Sequence, residues 1–308
     1  MTDRDDMTDA RIVYLNGEYL PSDKAALSPM DRGFLFGQSA YEVTAVYARK
    51  MIDFDRHMVR LARTLEALDI PNPMTNHEWE TAHQALIARN HLDEGLVYVQ
   101  VSGGAYGVRD FAGPEQFTPT VFMFAAETRL IGDNARLGVA AITVEDTRWQ
   151  RRDLKTTQLV SQTMAYRAAR QAGAKTAIMI ENGVVTEAAS ANVWIVDTDG
   201  RLQTRRLSQA ILPGITRAAL IDAINDKRTP LSDRPDPIEC VEQTFDVAAL
   251  LSAREVFTSS AGAMIVPIVS VDGVTIGDGL PGPVTRRLQA FYYDYVGADP
   301  DSLDWLSL

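Results

Sequence analysis

The spacing of apolar and polar positions changes along the chain, and each change marks an element. In RIVYLNGEYLPSDKAAL (11–27) two short β-rich runs flank Asn16 and Gly17, the residue pair of a tight hairpin turn, and Pro21 ends the second run. YEVTAVYARKMIDFDRH alternates from Tyr41 to Tyr47 and predicts a similar strand pair. The period then shifts. Met58, Leu61, Leu65 and Leu68 recur at intervals of three and four, which predicts an amphipathic helix stopped by Pro71 and Pro73. NHEWETAHQALIARNHL predicts another helix, and GLVYVQVSGG and TPTVFMFAA predict two strands, so the first portion reads as α plus β.

ETRLIGDNARLG (127–138) is polar and contains glycine between apolar runs, which marks it as a linker. It would separate a smaller N-terminal α/β domain (1–126) from a larger C-terminal domain (139–308). VAAITVED opens the second portion as a strand. The alanine-rich TTQLVSQTMAYRAARQAGA, with Gly173 at its end, predicts a helix and places Lys155 at its head. TAIMIENGVVTEAASANVWIV predicts a hairpin turning at Asn182 and Gly183, and DTDG then leads to RLQT in a meander.

Composition narrows the functional classes. A chain of 308 residues, 46% hydrophobic and 23% charged, is long enough for two ordinary globular domains. Its formal charge of −11 repels phosphate backbones, and no basic stripe interleaved with aromatics offsets this, so nucleic acid is not an expected partner. Cys240 is the single cysteine, which excludes an intrachain disulfide and a cysteine-based zinc cluster. His57, His77, His83 and His91 lack the spacing of metal ligands, and no metal is assigned. The acidic start lacks the features of a signal peptide, and no apolar run reaches the roughly 18 residues that span a bilayer. The expectation is a soluble cytoplasmic protein.

Candidate chemistry begins with Lys155, one of five lysines beside twenty-five arginines. A nucleophilic lysine must be partly unprotonated near neutral pH, and Arg148, Arg151 and Arg152 would favour this if they approached it. Glu187 falls on the return strand of the second hairpin, before the small residues AAS, where a protonated heterocyclic nitrogen could be accommodated. In LPGITRAAL, Gly214 permits close backbone approach, while Ile215 and Thr216 open a helix whose N–H groups suit an anion. FTSSAGAMIVP offers Ser260 and its neighbours as further donors, and Arg60 offers a charge-assisted pair. Each has an ordinary reading as well: a solvated lysine or arginine, a solvent-facing strand glutamate, a Pro-Gly turn, a strand-to-loop turn.

In chain order, however, these segments resemble the class IV (fold type IV) family of pyridoxal phosphate aminotransferases. SPMDRGFLFGQSAYEV is similar to the family's entrance strand, and RHMVRL to its HxxRL helix. DLKTTQL resembles the segment bearing its Schiff-base lysine, GVVTEAASANVWIV its VTEGSSSNVF signature, and ILPGITR its phosphate loop. VDGVTIGDGLPGPVTRRLQ is similar to its closing segment.

The resemblance implies two α/β domains, the larger barrel-like, in a D-amino acid aminotransferase-like fold that works as a homodimer with a partner loop closing the site. It implies that Lys155 joins the cofactor aldehyde and shuttles the proton, and that Glu187 pairs with the ring nitrogen. Arg60, Ile215, Thr216, Ser260 and Ala261 would hold the phosphate. VYVQVSGGAYGVRDF is similar to the loop of D-amino acid and (R)-amine enzymes, with Arg109 matching an arginine that clamps the substrate carboxylate. Phe36 and Tyr41 would line the substrate pocket. The chain departs from the family pattern at Gln38, Ser39, Gly103 and Ala261.

The implied reaction moves an amino group from a D-amino acid such as D-alanine or D-glutamate to a 2-oxo acid such as 2-oxoglutarate. Alternatives on this scaffold are an (R)-selective amine transaminase, a branched-chain aminotransferase and aminodeoxychorismate lyase. A non-catalytic binding protein is the alternative from another class, and the presence of both Lys155 and Glu187 counts against it.

Overall fold

Asn16 and Gly17 take φ of 49° and 101°, the left-handed conformations a two-residue reversal requires, and join β1 (Ile12–Leu15) to β2 (Glu18–Pro21). The computed structural model describes residues 11–226, 237–299, 303, 305 and 306, so the acidic first ten residues lie outside the described part. Two compact units emerge. One runs to Arg129 and takes in Leu154–Gln158, and the other comprises Leu130–Asp153 and the chain from Leu159 onward.

In the first unit β2 leads to a one-turn helix, α1 (Arg32–Phe36), and then to the strands β3 (Ser39–Tyr47) and β4 (Lys50–Met51). Two helices, α2 (Phe54–Ala67) and α3 (Asn76–Arg89), precede β5 (Gly95–Ser102) and β6 (Thr120–Glu127). The strands form one antiparallel sheet in the order β2-β1-β6-β5-β3-β4. Val97, Val99 and Val101 alternate onto its buried face, where Met58, Leu61 and Leu65 of α2 and Trp79 and Leu86 of α3 complete the core. Tyr41, Tyr98 and Phe124 stack in a row, with ring centroids 5.6 and 4.9 Å apart.

Two sequence expectations are corrected here. The segment read as an entrance strand begins instead with α1, because Asp31 caps it through the Gly33 N–H at 2.8 Å and Gly37, at φ 64°, ends it. Lys155 does not head a helix. Its carbonyl accepts the Tyr41 N–H at 3.0 Å, and the Thr157 N–H donates to the Ser39 carbonyl at 3.1 Å. Residues 155–157 are thereby drawn out along β3, and the helix starts only at Val160.

Polar groups also penetrate the helix-facing side of this sheet. Glu42 accepts Arg60 through Nε at 2.7 Å and Nη2 at 2.9 Å, and meets His57 Nδ1 at 2.7 Å. Burial alone would raise its pKa, but Arg60 and His57 override this and hold the carboxyl well below the usual range. His83 donates through Nδ1 to the Trp79 carbonyl at 2.7 Å. Burial lowers its pKa to about 4, with His57 adding to the effect and the Trp79 bond and Glu42 opposing it.

A stability prediction follows from that arrangement. As pH falls from about 6.5 toward about 4, the unfolded chain takes up a proton that folded His83 refuses, so stability drops by up to about 3 kcal/mol. Glu42 acts in the same direction, its contribution being lost as pH falls below the ordinary carboxylate value. Urea unfolding of His83→Gln across this window should show a flatter pH dependence than the parent. An unchanged slope would count against a neutral, buried His83.

The second unit begins with α4 (Asp133–Leu137), a short helix within the stretch read as a linker, and β7 (Val139–Glu145). Then come α5 (Val160–Gln171), β8 (Thr176–Glu181), β9 (Val184–Ala188), β10 (Asn192–Val196), β11 (Leu202–Thr204) and α6 (Ile215–Asn225). The chain continues through β12 (Cys240–Glu242), α7 (Val247–Ser252), β13 (Glu255–Ser260), β14 (Met264–Val271), β15 (Val274–Thr275) and α8 (Pro283–Tyr295).

The sheet runs β12-β11-β10-β13-β14-β7-β8-β9, with β15 paired to β14. β7 is parallel to both β8 and β14, and the other neighbours are antiparallel apart from β11 and β12. At the end of the path β9 turns directly into β10, with the Ala188 N–H on the Ala191 carbonyl at 2.8 Å, so the sheet curls back in a barrel-like form. Ile178, Val193, Ile195, Val256, Val266 and Ile268 fill its core, and Trp194 stacks on Phe257 at 5.5 Å. Asn182 and Gly183, at φ 51° and 78°, make the expected hairpin turn. Among the described residues no helix is long and apolar enough to cross a membrane, and no group of three metal-ligating side chains gathers.

Candidate active site

Lys155 is placed by its backbone. Its N–H reaches Thr64 Oγ1 at 3.4 Å and its carbonyl takes the Tyr41 N–H, while the half-buried side chain lies with Nζ 4.1 Å from the Tyr41 ring centroid. Thr64 also donates to the Arg60 carbonyl at 3.0 Å, tying the lysine segment to α2. Arg60 itself is steered by its two bonds to Glu42, a partner that the helix pattern gave no means of finding.

In the second unit Glu187 lies where the pairing of β8 and β9 shifts register, between the pairs Ile178–Ala188 and Ile180–Val185. The bulge leaves both Thr186 and Glu187 buried, although strict alternation would send one of them outward. Arg148 donates to Glu187 Oε1, while the Leu212 N–H and Asn192 Nδ2 reach Oε2 at 3.0 and 3.2 Å. Burial still pushes the carboxyl's pKa up, against the pull of Arg148 and the Leu212 N–H. A site with that residual drive toward protonation suits one more cationic donor.

Arg148 is fixed in turn by Asp146, through Nε at 2.9 Å and Nη2 at 2.7 Å, and Thr186 donates to the same carboxylate at 2.7 Å. Arg152 pairs with Glu181 at 2.6 Å, and Arg151 with Asp153 at 3.0 Å. The three arginines named beside Lys155 in the sequence are therefore each committed to a carboxylate. Asp146 and Asn192 join the site without having stood out in the sequence. The only available signals are the Asp-Thr-Arg spacing for the first and, for the second, a place inside the VTEAASAN segment.

Asn192 links Glu187 to the next element, since its Nδ2 also reaches the Leu212 carbonyl at 2.9 Å. A Cβ on Gly214 would fall 2.0 Å from Asn192 Oδ1, so only glycine fits this approach. Gly214 caps α6 with no side-chain hydrogen bond, so the first N–H groups of the helix, from Ile215 and buried Thr216, are not closed off by a cap. α6 packs against β13, which ends at Ser260 just before Ala261 and the turn into β14. Both candidate phosphate segments thus belong to the same unit.

Phe36 and Arg109 come together in the first unit. Arg109 is exposed on the loop between β5 and β6, with its guanidinium 5.1 Å from the Phe36 ring centroid and 4.7 Å from that of Phe111.

Comparison with known proteins fits this arrangement. A family model described as amino-transferase class IV matches residues 39–271. A D-alanine aminotransferase of Staphylococcus haemolyticus is 33% identical over 92% of this chain and 97% of its own, and one of Listeria monocytogenes is 33% identical over 92% and 96%. The branched-chain amino acid aminotransferase of Escherichia coli superposes with a TM-score of 0.84 at 26% identity, covering 96% of this chain and 98% of its own. A second branched-chain amino acid aminotransferase, solved with N-(5'-phosphopyridoxyl)-L-glutamate, shares the fold at 23% identity with a TM-score of 0.80, over 96% of this chain and 97% of its own. Full-length agreement in sequence and in fold places the chain in the class IV aminotransferases, pyridoxal phosphate enzymes of fold type IV.

Proposed function

We propose that this chain is a D-amino acid transaminase using a 2-oxo acid as acceptor, acting in the cytoplasm as a homodimer. When bound, pyridoxal phosphate supplies an electron-withdrawing ring that stabilises negative charge at the substrate Cα. Lys155 would hold the cofactor through its Nζ and would move the proton at that carbon. Glu187, braced by Arg148 and Asn192, pairs with the ring nitrogen and keeps it protonated. The N–H groups at Ile215 and Thr216, the Ser260 hydroxyl, the Ala261 backbone and Arg60 hold the phosphate. Phe36 and Tyr41 line the substrate site, and Arg109 binds the substrate carboxylate bidentately.

The observation that carries the choice of D-amino acid is Arg109, exposed on its loop and supported by Phe36, in a chain that is 33% identical to D-alanine aminotransferases over 92% of its length. Transfer from branched-chain L-amino acids is a second reading, supported by the likeness to the Escherichia coli enzyme. A panel of D- and L-amino acids and (R)-amines against several oxo acids separates the readings. Transfer from L-leucine or L-valine with none from any D-amino acid would overturn the first. Arg109→Ala should raise KM for D-alanine about thirtyfold, with kcat much less affected. An unchanged KM would remove Arg109 from the carboxylate site.

A further inference from the structure

Arg32, on α1, is only 5% exposed, and the oxygens that hold its side chain are neutral. Nε donates to Gln38 Oε1 at 2.5 Å, Nη1 to the Asp110 carbonyl at 2.5 Å and Nη2 to the Phe111 carbonyl at 2.8 Å. The guanidinium lies 4.8 Å from the Phe36 ring centroid and 5.5 Å from that of Phe117. Its two backbone partners are the residues that directly follow Arg109. Charge-assisted bonds of this kind are about twice as strong as neutral ones, and here they grip the loop beside its arginine.

Two of the chain's departures from the family pattern meet at this guanidinium. Gln38 supplies the side-chain acceptor, and its Nε2 reaches back to the Leu68 carbonyl at 3.4 Å. Gly103 leaves room, because a Cβ there would lie 3.2 Å from Phe117 Cδ1 and 3.3 Å from Arg32 Cδ. Gly113, at φ 75°, lets the loop backbone pass close on the other side, where a Cβ would lie 3.2 Å from Arg32 Cζ. Phe36 is shared, with one arginine fixed by hydrogen bonds and another, Arg109, exposed above the same ring.

We propose that Arg32, oriented by Gln38, is a positioning residue that latches the 105–117 loop and so presents Arg109 to the substrate carboxylate. The inference rests on the reading of Arg109 given above. Gln38 and Arg32 act through the loop and touch neither the substrate nor the cofactor. In an enzyme without the latch the loop samples more conformations, and the cost appears in carboxylate binding rather than in the chemical step.

The test is a double-mutant cycle on the holoenzyme with D-alanine as donor, joined to hydrogen exchange of the loop. Gln38→Leu keeps the bulk of the side chain and removes the acceptor. It should raise KM about tenfold, leave kcat within about twofold and speed exchange in 105–117 about tenfold. Arg32→Lys, which cannot reach three oxygens from one planar group, should act in the same direction. In an Arg109→Ala background Gln38→Leu should raise KM no further. An equal rise in both backgrounds, or unchanged exchange in the loop, would overturn the latch. If Arg109→Ala alone leaves KM unaltered, the carboxylate reading falls, and the exchange of 105–117 in Gln38→Leu still decides whether the latch exists.

Discussion

Lys155→Ala should yield a folded protein that has lost transamination by about 10⁴-fold or more, together with the borohydride-trappable link to the cofactor. Folding should survive because the bonds at this position come from the backbone. The N–H to Thr64 and the carbonyl to Tyr41 are kept by alanine, and what the side chain adds among the described residues is its ammonium over the Tyr41 ring. Lys155→Arg should be equally inactive, since a guanidinium stays protonated and cannot condense with an aldehyde. Thermal unfolding close to the parent's, beside absent turnover, would separate lost chemistry from lost structure. Retained turnover would remove Lys155 from its role.

Glu187→Gln should lower kcat about 100-fold, because it preserves the shape of the site and removes the charge that keeps the ring nitrogen protonated. One amide oxygen can still accept the Leu212 N–H, so the tie to the α6 loop survives. The parent's cofactor-free form gives a second readout. Burial raises the Glu187 pKa, so the folded chain holds this proton to higher pH than the unfolded chain does, and stability falls as pH rises from the ordinary glutamate value through the raised one. Glutamine cannot titrate. The variant should lose that part of the pH slope while Arg148 stays fixed by Asp146. Full activity, or an unaltered slope, would contradict the assigned role.

What is legible in the sequence is local. The Asn-Gly pairs at 16–17 and 182–183 announce their turns because few other residues take positive φ cheaply, and α2 is legible because one apolar stripe feeds one core. Lys155 reads as helical but is not, because its conformation is set by β3, a strand remote in sequence, while the alanine-rich run that follows has strong helix propensity of its own. The carboxylate at Glu187 is visible as a residue, but its environment is not. The bulge in β9 and the bond from Leu212, 25 residues onward, arise only when the strands and the α6 loop assemble. Arg32 is visible only as a member of the SPMDRGFLFGQSAYEV segment, and its burial among carbonyl oxygens leaves no compositional trace.

The presence of five lysines makes one measurement decisive. The holoenzyme would be reduced with borohydride, digested, and the peptide carrying the pyridoxyl group identified by mass. The label is expected on the peptide containing Lys155 and on no other. A label at Lys24, Lys50, Lys175 or Lys227, or no label, would contradict it.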